Sequence, residues 1–244
     1  MTPTLTNILF SLLGGILPAL LWLSFWLRED KSHPEPRSLI ALTFFYGIIS
    51  VPITFFIQML VNYLLIPRIS VEAAIQTMRI SGYVTLVIWA MTEEFLKYIA
   101  AKKGGLSKKA NDEPIDALIY MITAALGFSA AENTLFLIAP LLDGNLADAF
   151  ITTNMRFIGA TLLHVASSAI IGISIALSYF FKKKIQKHYL YIGFILSVLL
   201  HTLFNFFIIK DNTNVFIAFV MVWIVIVGII LLFEKIKKIH LNKI

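Results

Sequence analysis

Long uncharged stretches are the feature that most limits what this chain can fold into. Residues 38–66 and 157–181 contain no Asp, Glu, Lys or Arg. Because a helix rises 1.5 Å per residue, about 20 apolar residues cross a ~30 Å hydrocarbon core. The mean hydropathy of +0.85 and the 59% hydrophobic composition show that the chain as a whole is strongly apolar. These features exclude an ordinary soluble domain and predict a multi-pass integral protein of the cell membrane.

Seven stretches are long and apolar enough to form membrane-spanning helices. We therefore predict an all-α fold, a polytopic transmembrane helix bundle that forms a single domain over residues 1–244. Apolar residues also recur at helical spacing over 68–80, which predicts a separate short interfacial helix. The turn residues at 143–145 predict a break after the fourth span. The expected spans are 5–27, 38–66, 81–101, 115–141, 157–181, 189–209 and 213–233.

The basic residues are concentrated in alternate loops. Segments 28–37, 102–113, 182–188 and 234–244 carry three, four, four and four Lys or Arg residues, whereas those on the opposite side carry none, two, one and one. An excess of Lys and Arg marks the cytoplasmic side of a membrane. We therefore predict an N-terminus outside and a C-terminus in the cytoplasm. The net charge of +6 then reflects orientation in the lipid bilayer, so we expect no nucleic-acid partner.

The third span carries three charged residues, Glu93, Glu94 and Lys97, after an uncharged stretch over 80–92. A charge at mid-bilayer costs ~2.5–3.5 kcal/mol even on the most lenient insertion scale. Lys97 is one helical turn from both glutamates, so the simplest interpretation is an internal ion pair.

Further polar residues occur at related depths in the next three spans. They are Glu132 and Asn133 in span four, Arg156 and His164 at the start of span five, and His201 and Asn205 in span six. Spans three and five run inward, and spans four and six run outward. Glu93 is therefore near the midplane, and Glu132, His164 and His201 are in the middle to outer half. Independent helix contacts have no reason to share a depth, so we predict one functional site that opens outward.

The order of these motifs resembles the PrsW family of intramembrane proteases. More distantly it resembles the CAAX-protease and bacteriocin-processing family and a gamma-secretase subunit. The CAAX-protease pattern has an Arg four residues after its second Glu, whereas this chain has Lys97 one residue earlier. That pattern also has a His where this chain has Glu132. Both departures favour the PrsW family. The motifs lie within residues 81–209. They are Glu93-Glu94-x-x-Lys97, the run from Gly127 to Asn133, His164, and His201-x-x-x-Asn205.

The resemblance implies a glutamate-dependent endopeptidase, a hydrolase that performs intramembrane proteolysis. It implies a single-span membrane protein as substrate, such as a membrane-anchored anti-sigma factor cut at site one, outside the cytoplasmic face. The outward-opening site predicted from residue depth agrees with that side of the membrane.

Peptide hydrolysis needs an activated water, an oxyanion stabiliser and an acid for the leaving amine. Glu93 is expected to take the proton from water. Glu94 is the alternative base, because adjacent residues on a helix differ by about 100° and the sequence does not show which one faces inward. His201 and Asn205 are expected to face the oxyanion. The expected catalytic residues are Glu93, Glu94, Glu132, His164, His201 and Asn205. The expected supporting residues are Lys97, Asn133 and Arg156.

Three alternatives stay open. The main interpretation needs no metal or other cofactor, but Glu93, Glu132, His164 and His201 are also suitable zinc ligands for a metal-dependent protease. The chain has no cysteine, which excludes thiolate ligands and thiolate catalysis. The polar residues also suit a proton-coupled transporter, although the chain shows no internal repeat. The third alternative is a non-catalytic membrane scaffold.

Overall fold

A computed structural model describes residues 4–28, 33–65, 71–210 and 215–241, and it is built of helices. A π-helical turn over Arg156–Ala160 joins α5 to α6, so that these two helices form one continuous rod. The helices are α1 (Leu5–Leu27), α2 (Arg37–Leu65), α3 (Val71–Ala101), α4 (Asp116–Leu142), α5 (Leu146–Met155), α6 (Thr161–Leu177), α7 (Lys183–Lys210) and α8 (Val215–Leu241).

Six helices in the described part of the chain are long and apolar enough to cross a membrane, when α5 and α6 are taken as one. The other long helix is α3, whose 31 residues include the charged triplet of span three. The all-α prediction and the multi-pass character are therefore confirmed. The seventh span and the direction of insertion stay predictions.

The predicted orientation can be tested by cysteine labelling, because the chain contains no cysteine of its own. Lys108 and Asp143 are both exposed, and they lie on opposite predicted sides of the membrane. In intact cells, a membrane-impermeant maleimide should label Asp143→Cys and leave Lys108→Cys unlabelled until the membrane is opened. Labelling of Lys108→Cys in intact cells would contradict the orientation.

Two helices begin ten or more residues before the spans expected from the sequence. Residues 71–80 are helical but continue directly into α3, so the separate interfacial helix is wrong; residues 66–70 lie outside the described part. Likewise, the rod that contains span five begins at Leu146 rather than at 157. Neither segment contains a proline to stop the helix, so each helix continues past its apolar part. The predicted break at 143–145 is confirmed, with Gly144 at φ +71°.

Helix α4 lies at the centre and packs against α1, α2 and α6, while α3 packs against α2 and α7. Small residues permit the closest approach: a Cβ at Gly127 would lie 2.0 Å from the carbonyl oxygen of Phe44. A Cβ at Gly47 would lie 2.2 Å from the carbonyl oxygen of Ala124. Small residues in membrane helices allow neighbouring backbones to approach this closely. This packing brings the polar faces of α3, α4, α6 and α7 around one buried space.

Candidate active site

The charged triplet of α3, which consists of Glu93, Glu94 and Lys97, is removed from solvent. Glu93 is 6% exposed, and Glu94 and Lys97 are 0% exposed. The Lys97 ammonium donates to Glu94 Oε1 at 2.7 Å and lies 3.7 Å from Glu93 Oε2. The ion pair expected from their helical spacing is therefore formed. A buried ion pair is stable only when further hydrogen bonds satisfy its remaining atoms, and the neighbouring helices supply these.

Helix α6 supplies two hydroxyl groups and an imidazole to this cluster. Ser167 and Ser168 donate to Oε1 and Oε2 of Glu94, each at 2.9 Å. His164 Nδ1 lies 2.8 Å from the Lys97 ammonium. Both oxygens of Glu94 are therefore held by hydrogen bonds, which fixes this carboxylate in one orientation.

Helix α7 supplies His201, whose two ring nitrogens contact different glutamates. Nδ1 lies 2.8 Å from Glu94 Oε1, and Nε2 lies 3.5 Å from Glu93 Oε2. Because the Glu94 carboxylate is an acceptor, it favours the hydrogen on Nδ1 and leaves the lone pair of Nε2 towards Glu93. Asn205 lies one turn further on and is half-buried; in the described part of the chain it forms no hydrogen bond to the cluster.

On the side of the cluster towards the π-helical turn, Glu132 of α4 links that turn to His164. Its Oε2 accepts from Arg156 Nη2 and lies 2.9 Å from His164 Nε2. Arg156 also donates through Nε to Asn133 Oδ1. Residues eight apart on an α-helix differ by about 80°. The wider π turn absorbs an extra residue, which brings Arg156 and His164 onto one face.

Hydrogen bonding also determines which ring nitrogen of His164 carries the hydrogen. The Lys97 ammonium can only donate, so His164 Nδ1 must accept and its hydrogen is on Nε2, where Glu132 accepts it. His164 and His201 therefore each donate one ring N–H to a carboxylate. A carboxylate behind an imidazole is the usual arrangement for histidines that bind metals.

Glu93 differs from the other two carboxylates. Its Oε1 accepts from Gln58 Nε2 of α2 at 3.0 Å. Its Oε2 is buried and, among the described residues, has no hydrogen-bond partner. A buried acceptor without a partner loses about 1–3 kcal/mol, and more when it is charged. Lys97 donates to Glu94 and Arg156 donates to Glu132, whereas the Lys97 ammonium lies 3.7 Å from Glu93 Oε2. Glu93 Oε2 is therefore the oxygen at which a further cation or proton is needed.

Three side chains are close enough together to share a metal ion. One ligand atom each from Glu93, His164 and His201 lies within 4.8 Å of the others, and all three residues are buried. Carboxylate oxygen and imidazole nitrogen are zinc ligands, and three protein ligands leave one position for water. Glu132, expected among the possible ligands, is not part of this group. It contacts the far nitrogen of His164 and therefore lies behind the ring.

The sequence interpretation missed three of these contacts. Gln58 belongs to the second span, outside the core of motifs at 81–209, and Ser167 and Ser168 had no assigned role. A signal was present in each case: an amide within an apolar span, and two hydroxyls three and four residues after His164 on the same helix face. All the predicted polar residues of α3, α4 and α6 are in the network, together with His201.

Comparisons with known proteins agree with the geometry. Residues 35–232 match the family described as "PrsW family intramembrane metalloprotease". The chain is 25% identical to "Protease PrsW" of Geobacillus kaustophilus (strain HTA426) over 205 residues, which are 84% of this chain and 82% of that protein. It is 29% identical over 197 residues to "Protease PrsW" of Oceanobacillus iheyensis, covering 79% of this chain and 80% of that protein.

A third relative, "Protease PrsW" of Bacillus subtilis (strain 168), is 21% identical over 196 residues, covering 79% of this chain and 80% of that protein. No solved structure matches the chain. The family match covers most of the chain and includes every residue of the buried cluster. The resemblance seen in its motifs is thus confirmed, and the chain belongs to the PrsW family of intramembrane proteases.

Proposed function

We propose that this chain is a metal-dependent intramembrane endopeptidase whose ion is held by Glu93, His164 and His201. One observation carries the proposal. Glu93 Oε2 is buried and, among the described residues, has no hydrogen-bond partner. It lies 3.5 Å from His201 Nε2 and 4.0 Å from His164 Nδ1. A divalent cation among these atoms would remove the unfavourable burial of that oxygen. The family description as a metalloprotease supports the same choice.

The surrounding residues suit such a site. Glu94 holds His201, and Glu132 holds His164, so each imidazole presents its other nitrogen towards Glu93. Partners of this kind fix the tautomer and the ring orientation of histidine ligands. When bound, a zinc ion would lower the pKa of a water molecule and polarise the substrate carbonyl. Lys97 would then keep its hydrogen bond to Glu94 and release His164 Nδ1.

The remaining polar residues would accept and donate protons and stabilise the oxyanion. Glu94 is held on both oxygens and Glu93 is a ligand, so Glu132 is the carboxylate left to accept a proton. Because its Oε2 contacts the far nitrogen of His164, the transfer to Oε1 would pass through a second water molecule. The Glu132 side chain is 22% exposed, and its Oε1 makes no hydrogen bond in the described part of the chain. The Lys97 ammonium would donate the proton to the leaving amine. Asn205, one turn from His201, faces the developing oxyanion.

The metal-free glutamic protease is the second candidate, and a specific contact favours it. The Lys97 ammonium lies 2.8 Å from His164 Nδ1, where it competes with a metal for the same lone pair. In this version, Glu93 Oε2 takes the proton from water, and Glu132 and His164 hold that water. His201 and Asn205 then stabilise the oxyanion. Membership of a protease family disfavours the transporter and scaffold alternatives.

Metal content and chelation distinguish the two candidates. The full-length protein is purified in detergent without an affinity tag, and its zinc content and its cleavage of a single-span substrate are measured before and after exhaustive chelation. We expect zinc binding that depends on the cluster, loss of cleavage on chelation, and recovery when zinc is restored. Glu93→Gln and His201→Ala should lose the bound zinc.

The matched control is His188→Ala, which removes an exposed histidine of the segment before span six. It should keep both zinc and cleavage. A chelated protein that contains no zinc and cleaves at the full rate would overturn the metal-dependent proposal in favour of the glutamic version. Failure of the purified protein to cleave any single-span substrate would count against both.

The proposed substrate is a single-span membrane protein, such as an anti-sigma factor, cut near its outer membrane boundary. Support comes from the predicted orientation, which puts Glu93 near the midplane and Glu132 and Arg156, whose side chains are 22% and 15% exposed, towards the outside. Quantitative proteomics can identify it as the protein that loses its extracytoplasmic part only in cells with intact Glu93. Release of the cytoplasmic part alone would contradict the proposed side of cleavage.

A further inference from the structure

We infer that Gln58 of α2 is a positioning residue that holds the Glu93 carboxylate in the orientation that directs one of its oxygens at the reaction. This inference rests on the proposed function in one respect, namely that Glu93 is the carboxylate that binds the ion or takes the proton. It adds a residue from the second span, outside the core of motifs, to the residues on which activity depends.

The contacts of Glu93 carry the inference. Gln58 Nε2 donates to Glu93 Oε1 at 3.0 Å, and it is the one hydrogen-bond donor to Glu93 among the described residues. Glu94, the adjacent residue, has both oxygens held by hydroxyls of Ser167 and Ser168. The two glutamates are therefore held in different ways: Glu94 by both oxygens, and Glu93 by a single oxygen on the side of α2.

Holding one oxygen has a definite effect on the other. The last torsion of a glutamate side chain is broad and roughly two-fold, so the side chain itself does not hold one carboxylate orientation. The amide of Gln58 fixes Oε1, and Oε2 is thereby directed at His201 Nε2, 3.5 Å away, and His164 Nδ1, 4.0 Å away. Without the amide, rotation would let Glu93 turn away from the imidazoles.

Positioning differs from a simple contact between two helices. An amide that only ties α2 to α3 would change thermal stability when removed, and it would leave the ligand set and the reaction unchanged. An amide that aims Glu93 must also change metal affinity and turnover. The inference is therefore tested by two properties that an ordinary interhelical hydrogen bond does not affect.

The test compares Gln58→Met with Asn62→Leu. Methionine has the length of glutamine and no donor, and it is compatible with a helix. Asn62 lies one turn further along α2 and makes no hydrogen bond to Glu93 in the described part of the chain. For each variant we measure zinc affinity by competition with a chelator, kcat and KM for a single-span substrate, and melting temperature in detergent. Zinc alone is the binding probe.

Gln58→Met should weaken zinc binding about 10–100-fold, the usual effect of losing a residue that holds a metal ligand. It should reduce kcat by a similar factor and leave KM nearly unchanged, because the substrate is not contacted. Asn62→Leu should match the unsubstituted protein in all three. If Gln58→Met keeps both zinc affinity and kcat, the inference is overturned, whatever happens to the melting temperature.

The outcome also separates this inference from the proposed metal dependence. If the unsubstituted protein binds no zinc but Gln58→Met lowers kcat at constant KM, the metal proposal fails and the positioning role stands. If the unsubstituted protein binds zinc and Gln58→Met binds it equally and cleaves equally, the metal proposal stands and the positioning role fails.

Discussion

Glu93→Gln is expected to leave the protein folded and inserted in the membrane while cleavage of a single-span substrate is abolished. Glutamine keeps the size of the side chain, and its amide oxygen can still accept from Gln58. An NH₂ group at the position of Oε2 can neither bind a cation nor take a proton. General-base catalysis alone contributes ~10²–10⁴-fold, and loss of a metal ligand would add to that effect. Cleavage should be measured at equal membrane abundance.

Glu94→Gln is the informative comparison, because the two residues are adjacent and both buried. Glu94 accepts hydrogen bonds from Lys97, Ser167, Ser168 and His201, and an NH₂ group would turn one acceptor into a donor facing other donors. We expect a lower folded yield for Glu94→Gln and a normal yield for Glu93→Gln. Normal cleavage by both variants would refute the roles assigned to these glutamates.

Lys97→Met is expected to have the largest effect on folding. The ammonium is 0% exposed and lies within 3 Å of both Glu94 and His164. Removing one partner of a buried ion pair costs about 3–5 kcal/mol, because the other charge is left buried and uncompensated. The free energy of unfolding in detergent, or the melting temperature if unfolding is irreversible, measures the loss.

Lys237→Met provides the matched control. Lys237 and Glu234 have the same i,i+3 spacing as Lys97 and Glu94, but their side chains are 29% and 57% exposed. Exposed pairs contribute about 0–1 kcal/mol, so Lys237→Met should be nearly neutral. Equal stability of the two variants would show that the buried ion network does not stabilise the bundle.

The class of protein and the residues that need an explanation both follow from the order of amino acids. Apolar length is a property of the chain alone, because the bilayer rather than the fold sets how many residues must be uncharged. Charged and amide groups within such stretches are costly wherever they point. Glu93, Glu132, His164 and His201 are therefore conspicuous in the sequence, and their order along the chain indicates the family.

The packing of the helices, by contrast, gives these residues their different roles. Glu93 and Glu94 are adjacent on α3 and identical in chemistry, and their roles depend on which neighbours each one meets. Likewise, Gln58 and Asn62 are both amides on α2, and the register between α2 and α3 places Gln58 against Glu93. Contacts between helices depend on rotation and register, which hydropathy along one chain does not specify. One oxygen of Glu93 has no hydrogen-bond partner among the described residues. For this reason that oxygen, and the chemistry proposed for it, are properties of the packed bundle and cannot be read from the sequence.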